Sequence, residues 1–253
     1  MQLFDTHAHL LDEKFDEDRE ALIAQMPSEG VVGVIEAGCC VDISIRAAKL
    51  AQAHDYIYAA VGVHPHDSED VPSDYISVLE KLADNKKVIA IGEIGLDYYY
   101  DNSPRDVQRQ VFEAQIELAE KLDLPMIFHM RKSTGDMMGI LEEHKGIRGV
   151  MHCFSGSVET AHRCIELGLH ISFTGSVTFK NARKVVDAAA VVPMNRIMAE
   201  TDCPYLSPEP KRGRRNDPRN VEHVIRKLAE IKDVTFEQMC QTNIENAKGL
   251  YGI

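Results

Sequence analysis

The chain has no tryptophan, no Cys-x-x-Cys pair, no Gly/Ser-rich linker and no apolar run long enough to span a bilayer. It is also short of basic charge: 28 Lys and Arg stand against 40 Asp and Glu, a formal net charge of −12. Each shortage excludes something. The missing apolar run excludes a transmembrane helix. The missing linker argues against a string of modules, so the 253 residues are expected to form one domain, 1–253. The acidic balance argues against a protein that wraps long duplex nucleic acid through many phosphate contacts. It leaves room for a nuclease that grips a few nucleotides at a metal-lined site, because the metals carry local positive charge. No basic leader precedes the acidic stretch at 12–18, so a cytoplasmic protein is expected, with no membrane partner and no obligatory protein partner. The six cysteines then read as reduced thiols, mostly buried. Cys39 and Cys40 are adjacent, and adjacent cysteines bridge only with strain.

What is present is an alternation. Apolar, β-branched runs at 2–6, 31–37, 57–63, 88–93, 126–129, 149–154, 170–173 and 197–201 read as strands. Amphipathic stretches at 16–25, 41–54, 74–83, 104–122, 135–144, 158–167, 181–190, 218–231 and 236–250 read as helices. The clearest helix begins near Pro104, with Ser103 as its expected N-cap. Eight strands alternating with helices imply parallel pairing by right-handed crossovers. The expected fold is a closed (β/α)8 TIM barrel, with an open doubly wound sheet as the alternative.

A barrel collects its chemistry at the C-terminal ends of its strands. His7 and His9 end the first expected strand, His64 and His66 follow the third, and Glu93 ends the fourth. His129 ends the fifth, His152 lies in the sixth and Asp202 ends the eighth. Residues two apart on a strand share a face, so His7 and His9 aim two imidazoles at one point. The set suffices for two divalent cations: His7, His9 and a carboxylate on one, His129 and His152 on the other, Glu93 able to bridge. Two cations roughly 3.5–4 Å apart clamp the attacking and leaving oxygens of an in-line displacement and lower the pKa of a bound water. Asp202 is placed to accept the water's proton. The other histidines, His54, His144, His162, His170 and His223, fall on helices or strand starts and are expected at the surface.

Six motifs, DTHAHL at 5–10, GVHPH at 62–66, GEIGLDY at 92–98, FHMR at 128–131, HCFSG at 152–156 and ETDCPY at 200–205, together resemble the TatD family of metal-dependent deoxyribonucleases. The similarity runs from residue 2 to Asn246 and Ala247. The resemblance implies a TIM barrel and the metal ligands His7, His9, Glu93, His129, His152 and Asp202. It implies two divalent cations (Mg²⁺, Mn²⁺ or Zn²⁺) and hydrolysis of DNA phosphodiesters, often exonucleolytic, on single strands or frayed ends. Some members lack the first His-x-His, which this chain keeps. Many binuclear amidohydrolases share that motif but bridge their metals with a carboxylated lysine at the end of strand four. Here Lys86 and Lys87 stand at the opposite end of the strand, which leaves Glu93 as the bridge.

Substrate contacts are sought around these ligands. His64 and Arg131 are expected at phosphate oxygens, Arg131 through its planar fork. Tyr98, with Tyr99, Tyr100 and Tyr205, is a candidate to stack on a base. Lys211, Arg212, Arg214 and Arg215 form the main basic cluster and are candidate backbone contacts, Lys211 and Arg214 foremost. Ser176 and Lys180 lie where barrels often bind phosphate. Asp97 and Glu200 are expected to orient ligands. Cys153 and Cys203, beside ligands in sequence, are expected to point into the core. The chief rival is hydrolysis of amide or carboxylic ester bonds on the same centre, for example in aminoacylated nucleic acid. A non-enzymatic binding barrel is the third reading.

Overall fold

Each apolar run of the sequence becomes a strand whose two faces are both covered, as parallel sheets require. The computed structural model describes residues 2–253. The strands are β1 (Leu3–Ala8), β2 (Val31–Ala37), β3 (Ile57–Val61), β4 (Val88–Asp97), β5 (Met126–Arg131), β6 (Gly149–Met151), β7 (His170–Phe173) and β8 (Ile197–Ala199). They neighbour one another in chain order, every pair parallel. Between them lie α1 (Arg19–Gln25), α2 (Val41–Ala53), α3 (Tyr75–Leu82), α4 (Arg105–Leu122), α5 (Thr134–Glu143), α6 (Val158–Glu166) and α7 (Arg183–Val191). Helices α8 (Val221–Lys232) and α9 (Phe236–Tyr251) follow β8. The fold is the (β/α)8 barrel, not the open sheet.

Period two explains how one sequence builds both floor and rim. Ile127, Val150 and Met198 belong to one buried cluster with Phe4, Ile35 and Ala60, a set drawn from strands all round the ring and so facing inward. Two residues further along the same strands stand His129, His152 and Glu200. The apolar floor and the ionisable rim therefore share one face of each strand. A second, larger cluster packs between the strands and the surrounding helices.

The ring closes between β1 and the chain just past β8. His9 N–H donates to the Cys203 carbonyl at 2.9 Å, and Asp202 N–H donates to the His7 carbonyl at 3.0 Å. Asp5 accepts from Thr201 N–H at 2.8 Å across the same seam. Helix α9 completes it: Asn243 accepts from Ala199 N–H and donates to the Phe4 carbonyl, each at 2.8 Å, while Ile244, Ala247 and Leu250 join the inner cluster. Closing the ring is what brings Asp202 beside His7 and His9.

Three local expectations are corrected. Pro104, not Ser103, is the N-cap of α4. The Ser103 hydroxyl instead accepts from Glu69 N–H and donates to the His66 carbonyl, tying the β3 and β4 loops together. Strand β4 runs on to Asp97, so Glu93 sits within the strand and not at its end. His170 is buried, not at the surface; burial lowers its pKa to about 4, so it stays neutral.

Candidate metal centre

Six side chains converge on one end of the barrel. His7 Nε2 lies 3.1 Å from His9 Nε2 and 3.3 Å from Glu93 Oε2. Asp202 Oδ1 lies 3.4 Å from His9 Nε2 and 3.9 Å from His7 Nε2. The other Glu93 oxygen, Oε1, faces His129 Nδ1 at 2.7 Å and His152 Nε2 at 2.8 Å. Donor atoms about 2.1 Å from one cation stand about 3.0–3.4 Å from each other at tetrahedral or octahedral angles. The spacings around His7, His9, Glu93 and Asp202 fall close to that range. Glu93 thus presents one oxygen to each of two donor groups.

An orphaned atom supports a metal more directly. His152 Nε2 is buried and, although near Glu93, makes no aligned hydrogen bond. A buried nitrogen left unpaired is costly. A lone pair aimed at a cation shared with Glu93 accounts for it. The residues present therefore fit a metal centre.

The outer nitrogens are held. His152 Nδ1 meets Glu200 Oε1 at 3.2 Å, and Glu200 also accepts from Cys153 N–H and the Ser172 hydroxyl. His129 Nε2 meets Asp97 Oδ2 at 3.2 Å; Asp97 also takes His66 Nε2 and the N–H groups of Tyr99 and Tyr100. Such carboxylate partners fix ring orientation and raise the basicity of the ligating nitrogen. A glycine makes the β4–β5 contact possible. Gly95 has φ +147°, and a Cβ there would stand 2.0 Å from the His129 carbonyl oxygen.

The site attracts positive charge. Burial works against the charge on His9, but the carboxylates of Asp202 and Glu93 more than offset it and hold its pKa at about 9. For His152 burial is likewise overcome by Glu93 and Glu200, which push its pKa well above the ordinary value. Burial opposes the charge on Glu93, yet the facing histidines, His152 foremost and His129 with it, keep it ionised, well below the usual carboxylate range. His64 goes the other way: burial and the neighbouring His129 hold it neutral. Its Nδ1 accepts from His66 N–H at 3.1 Å, so the remaining proton sits on Nε2. That Nε2–H points at the Glu93 side of the centre, 3.5 Å from Oε1.

The centre opens into a cavity of about 770 Å³. His64, Arg131, Tyr100 and Ser176 line it, as does Tyr205. Arg131 reaches it because β5 continues past His129 on the same face, and its guanidinium lies 4.3 Å over the Tyr99 ring and 4.6 Å over Tyr100. Tyr98 does not line the cavity: its hydroxyl pairs with Asp136 at 2.8 Å and Arg105 covers its ring. Lys211, Arg214 and Lys180 also lie off it. Arg215 is spent on Asp18 at 2.6 Å. Cys203 is core, as expected, but Cys153 lines the cavity, because β6 ends at Met151 and the chain turns at Cys153 with φ 46°.

The sequence reading passes over Glu36. It is fully buried, lines the cavity, and accepts from Leu10 N–H at 2.7 Å and Leu11 N–H at 3.0 Å, holding the turn that follows His9. Burial raises its pKa to about 7. A lone carboxylate in the apolar run VVGVIEA was the available signal, since such a charge needs a buried partner.

A family model described as TatD related DNase matches residues 4–252. The chain belongs to the TatD family. It is a metal-dependent hydrolase by that membership, and its His, Glu and Asp clusters can bind metal. It is 43% identical to "Uncharacterized metal-dependent hydrolase YabD" of Bacillus subtilis over 99% of each chain. It is 33% identical to "3'-5' ssDNA/RNA exonuclease TatD" of Pantoea ananatis, over 99% of this chain and 100% of that one. The crystal structure of the TatD homolog YjjV from Escherichia coli superposes with a TM-score of 0.93 at 30% identity, over 99% of this TatD-family chain and 98% of that one. Among the described residues no helix is long and apolar enough to cross a membrane.

Proposed function

We propose that this protein is a two-metal phosphodiesterase that removes nucleotides from ends of single-stranded or frayed DNA. The observation that carries the reading is Glu93, one carboxylate whose two oxygens face separate nitrogen groups. His7, His9 and Asp202 would hold one divalent cation, His129 and His152 the other. Bound cations at such a centre supply a hydroxide at neutral pH and neutralise charge on a phosphate. Asp202 accepts the proton of the attacking water; its carboxylate is kept ionised against burial by His9 and His152. The neutral His64 donates its Nε2 proton to a phosphate oxygen. Arg131, on the cavity wall, binds a second oxygen through its fork. The relative from Pantoea ananatis, named as an exonuclease on single-stranded DNA and RNA, supports nucleic acid as the substrate class.

The test uses purified protein supplied in turn with Mg²⁺, Mn²⁺ and Zn²⁺ and end-labelled single-stranded DNA and RNA. Mononucleotides should appear with at least one metal. Glu93→Gln should lower kcat by about 10³-fold or more, since the bridge loses its charge. Cleavage of carboxylic esters or amides with no nucleotide release would overturn the substrate assignment.

A further inference from the structure

A second hollow of about 260 Å³ adjoins the central cavity, and Leu206 lines both. The two share their other wall as well. The short turn after β7 presents Ser176 to the central cavity and its neighbour Phe179 to the second hollow. Arg212 and Arg214 complete the second hollow, with Ser207.

Its charge is unusual for this chain. Arg215 and Arg219 nearby are matched by Asp18, Asp217 and Glu29. Arg212 and Arg214 have no carboxylate within 4.0 Å among the described residues, on a protein of net charge −12. The Arg212 guanidinium lies 3.8 Å over the Phe179 ring, which leaves its N–H edge free. A flat cation on an aromatic face next to a second guanidinium offers both a phosphate fork and a surface on which a base can stack.

The hollow is also built before any ligand arrives. Asn216 donates to the carbonyls of Thr201 at 3.0 Å and Tyr205 at 2.7 Å, and the Ser207 hydroxyl donates to the Arg214 carbonyl at 2.5 Å. Glu209 N–H donates to Thr178 Oγ1 at 2.8 Å, joining the two loops. Gly175 permits that junction, because a Cβ there would stand 2.1 Å from the Leu206 carbonyl oxygen. A site held this way loses little entropy on binding.

We propose that Phe179, Arg212 and Arg214 form a second subsite that holds a single-stranded polynucleotide at a nucleotide away from the scissile bond. The proposal rests on the phosphodiesterase reading above and gives the enzyme its preference for longer strands. Lys211 lines neither hollow and is not part of it.

The experiment is steady-state kinetics of the metal-loaded, full-length enzyme on a thymidine series from dinucleotide to hexamer, repeated across salt concentrations. Wild type should show KM falling as the strand lengthens. Arg212→Gln/Arg214→Gln should raise KM for the hexamer by about tenfold or more, flatten the length dependence, and reduce the slope of log(kcat/KM) against log[salt] by about 0.7 per lost phosphate contact. Phe179→Leu, which keeps both charges, should raise KM for the hexamer without changing the salt slope. A thermal melt matching wild type confirms that each variant is folded. If wild type cleaves the series and the double-Gln and Phe179→Leu variants keep its length dependence and salt slope, the subsite is overturned alone. If wild type cleaves no member of the series, the phosphodiesterase reading falls and takes the subsite with it.

Discussion

Asp97 shows how much a single residue can do without touching a metal. Its carboxylate takes His129, His66 and two backbone N–H groups, and these partners overcome burial and hold it far below the ordinary carboxylate range. It fixes His129 in the ring orientation that aims Nδ1 at Glu93. Asp97→Asn keeps the shape but removes the charge that makes His129 basic. We expect metal affinity to fall about 10–100-fold, read by isothermal titration, with kcat at saturating metal changed far less. An unchanged affinity would mean that His129 is oriented by packing alone. His64 and Glu36 mark the limits of a sequence reading at this scale. The His64 position was legible as a strand-end histidine, but its protonation followed only from the His66 N–H that occupies Nδ1. Glu36 stood out only as a lone carboxylate in an apolar run, and its role was hidden because its partners, the N–H groups of Leu10 and Leu11, lie 26 and 25 residues away in the chain.

At the scale of elements, the seam between β1 and β8 is the weak point of the ring, since only the isolated bridge from Ala8 to Cys203 joins the two sides by sheet pairing. Asn243 of α9 repairs it by satisfying Ala199 N–H and the Phe4 carbonyl. Asn243→Ala would leave both backbone groups buried and unpaired, at about 1–3 kcal/mol each. Urea unfolding should therefore show a loss of about 2–6 kcal/mol, and a smaller drop would mean that water enters the seam. The elements themselves were legible: every strand and helix that the periodicity called for is present, with ends moved by a few residues. What moved them was local competition. Ser103 was taken by the β3 loop before it could cap α4, and β4 was extended to Asp97 by its pairing with β5.

At the scale of the whole molecule, net charge and metal site work together. The acidic surface offers a polyanion few footholds, so under the proposed function recognition falls to the metal centre, Arg131 and the second hollow. The centre itself stores protons where cations belong. Burial disfavours the charge on His9, His129 and His152, but the facing carboxylates prevail and raise all three. In metal-free protein each of these rings keeps its proton to higher pH than a free imidazole does, and a cation must displace that proton. Glu93 and Asp202 are already ionised and release none. Metal affinity should therefore rise with pH through the range, around 9, in which His9 loses its proton. Titration with Mn²⁺ in two buffers of different ionisation enthalpy should show roughly one to three protons released per chain. Uptake without proton release would contradict this electrostatic picture.

The sequence by itself determined the class of fold and the six side chains that converge at one end of it. Both follow from local rules: period-two alternation places a polar residue above an apolar one on the same strand face, and the order of strands and helices dictates a ring. Tertiary structure alone decided which side chains face each Glu93 oxygen, that His64 is buried with Nδ1 occupied, that Tyr98 turns away and that Cys153 turns in. It also decided that Phe179 meets Arg212. These depend on closing the ring and packing loops from distant strands, so they are set by contacts between residues that no local pattern relates. His7 and His9 needed only their own strand to face one way. They needed Asp202, 193 residues beyond His9, and the closed seam to become a site.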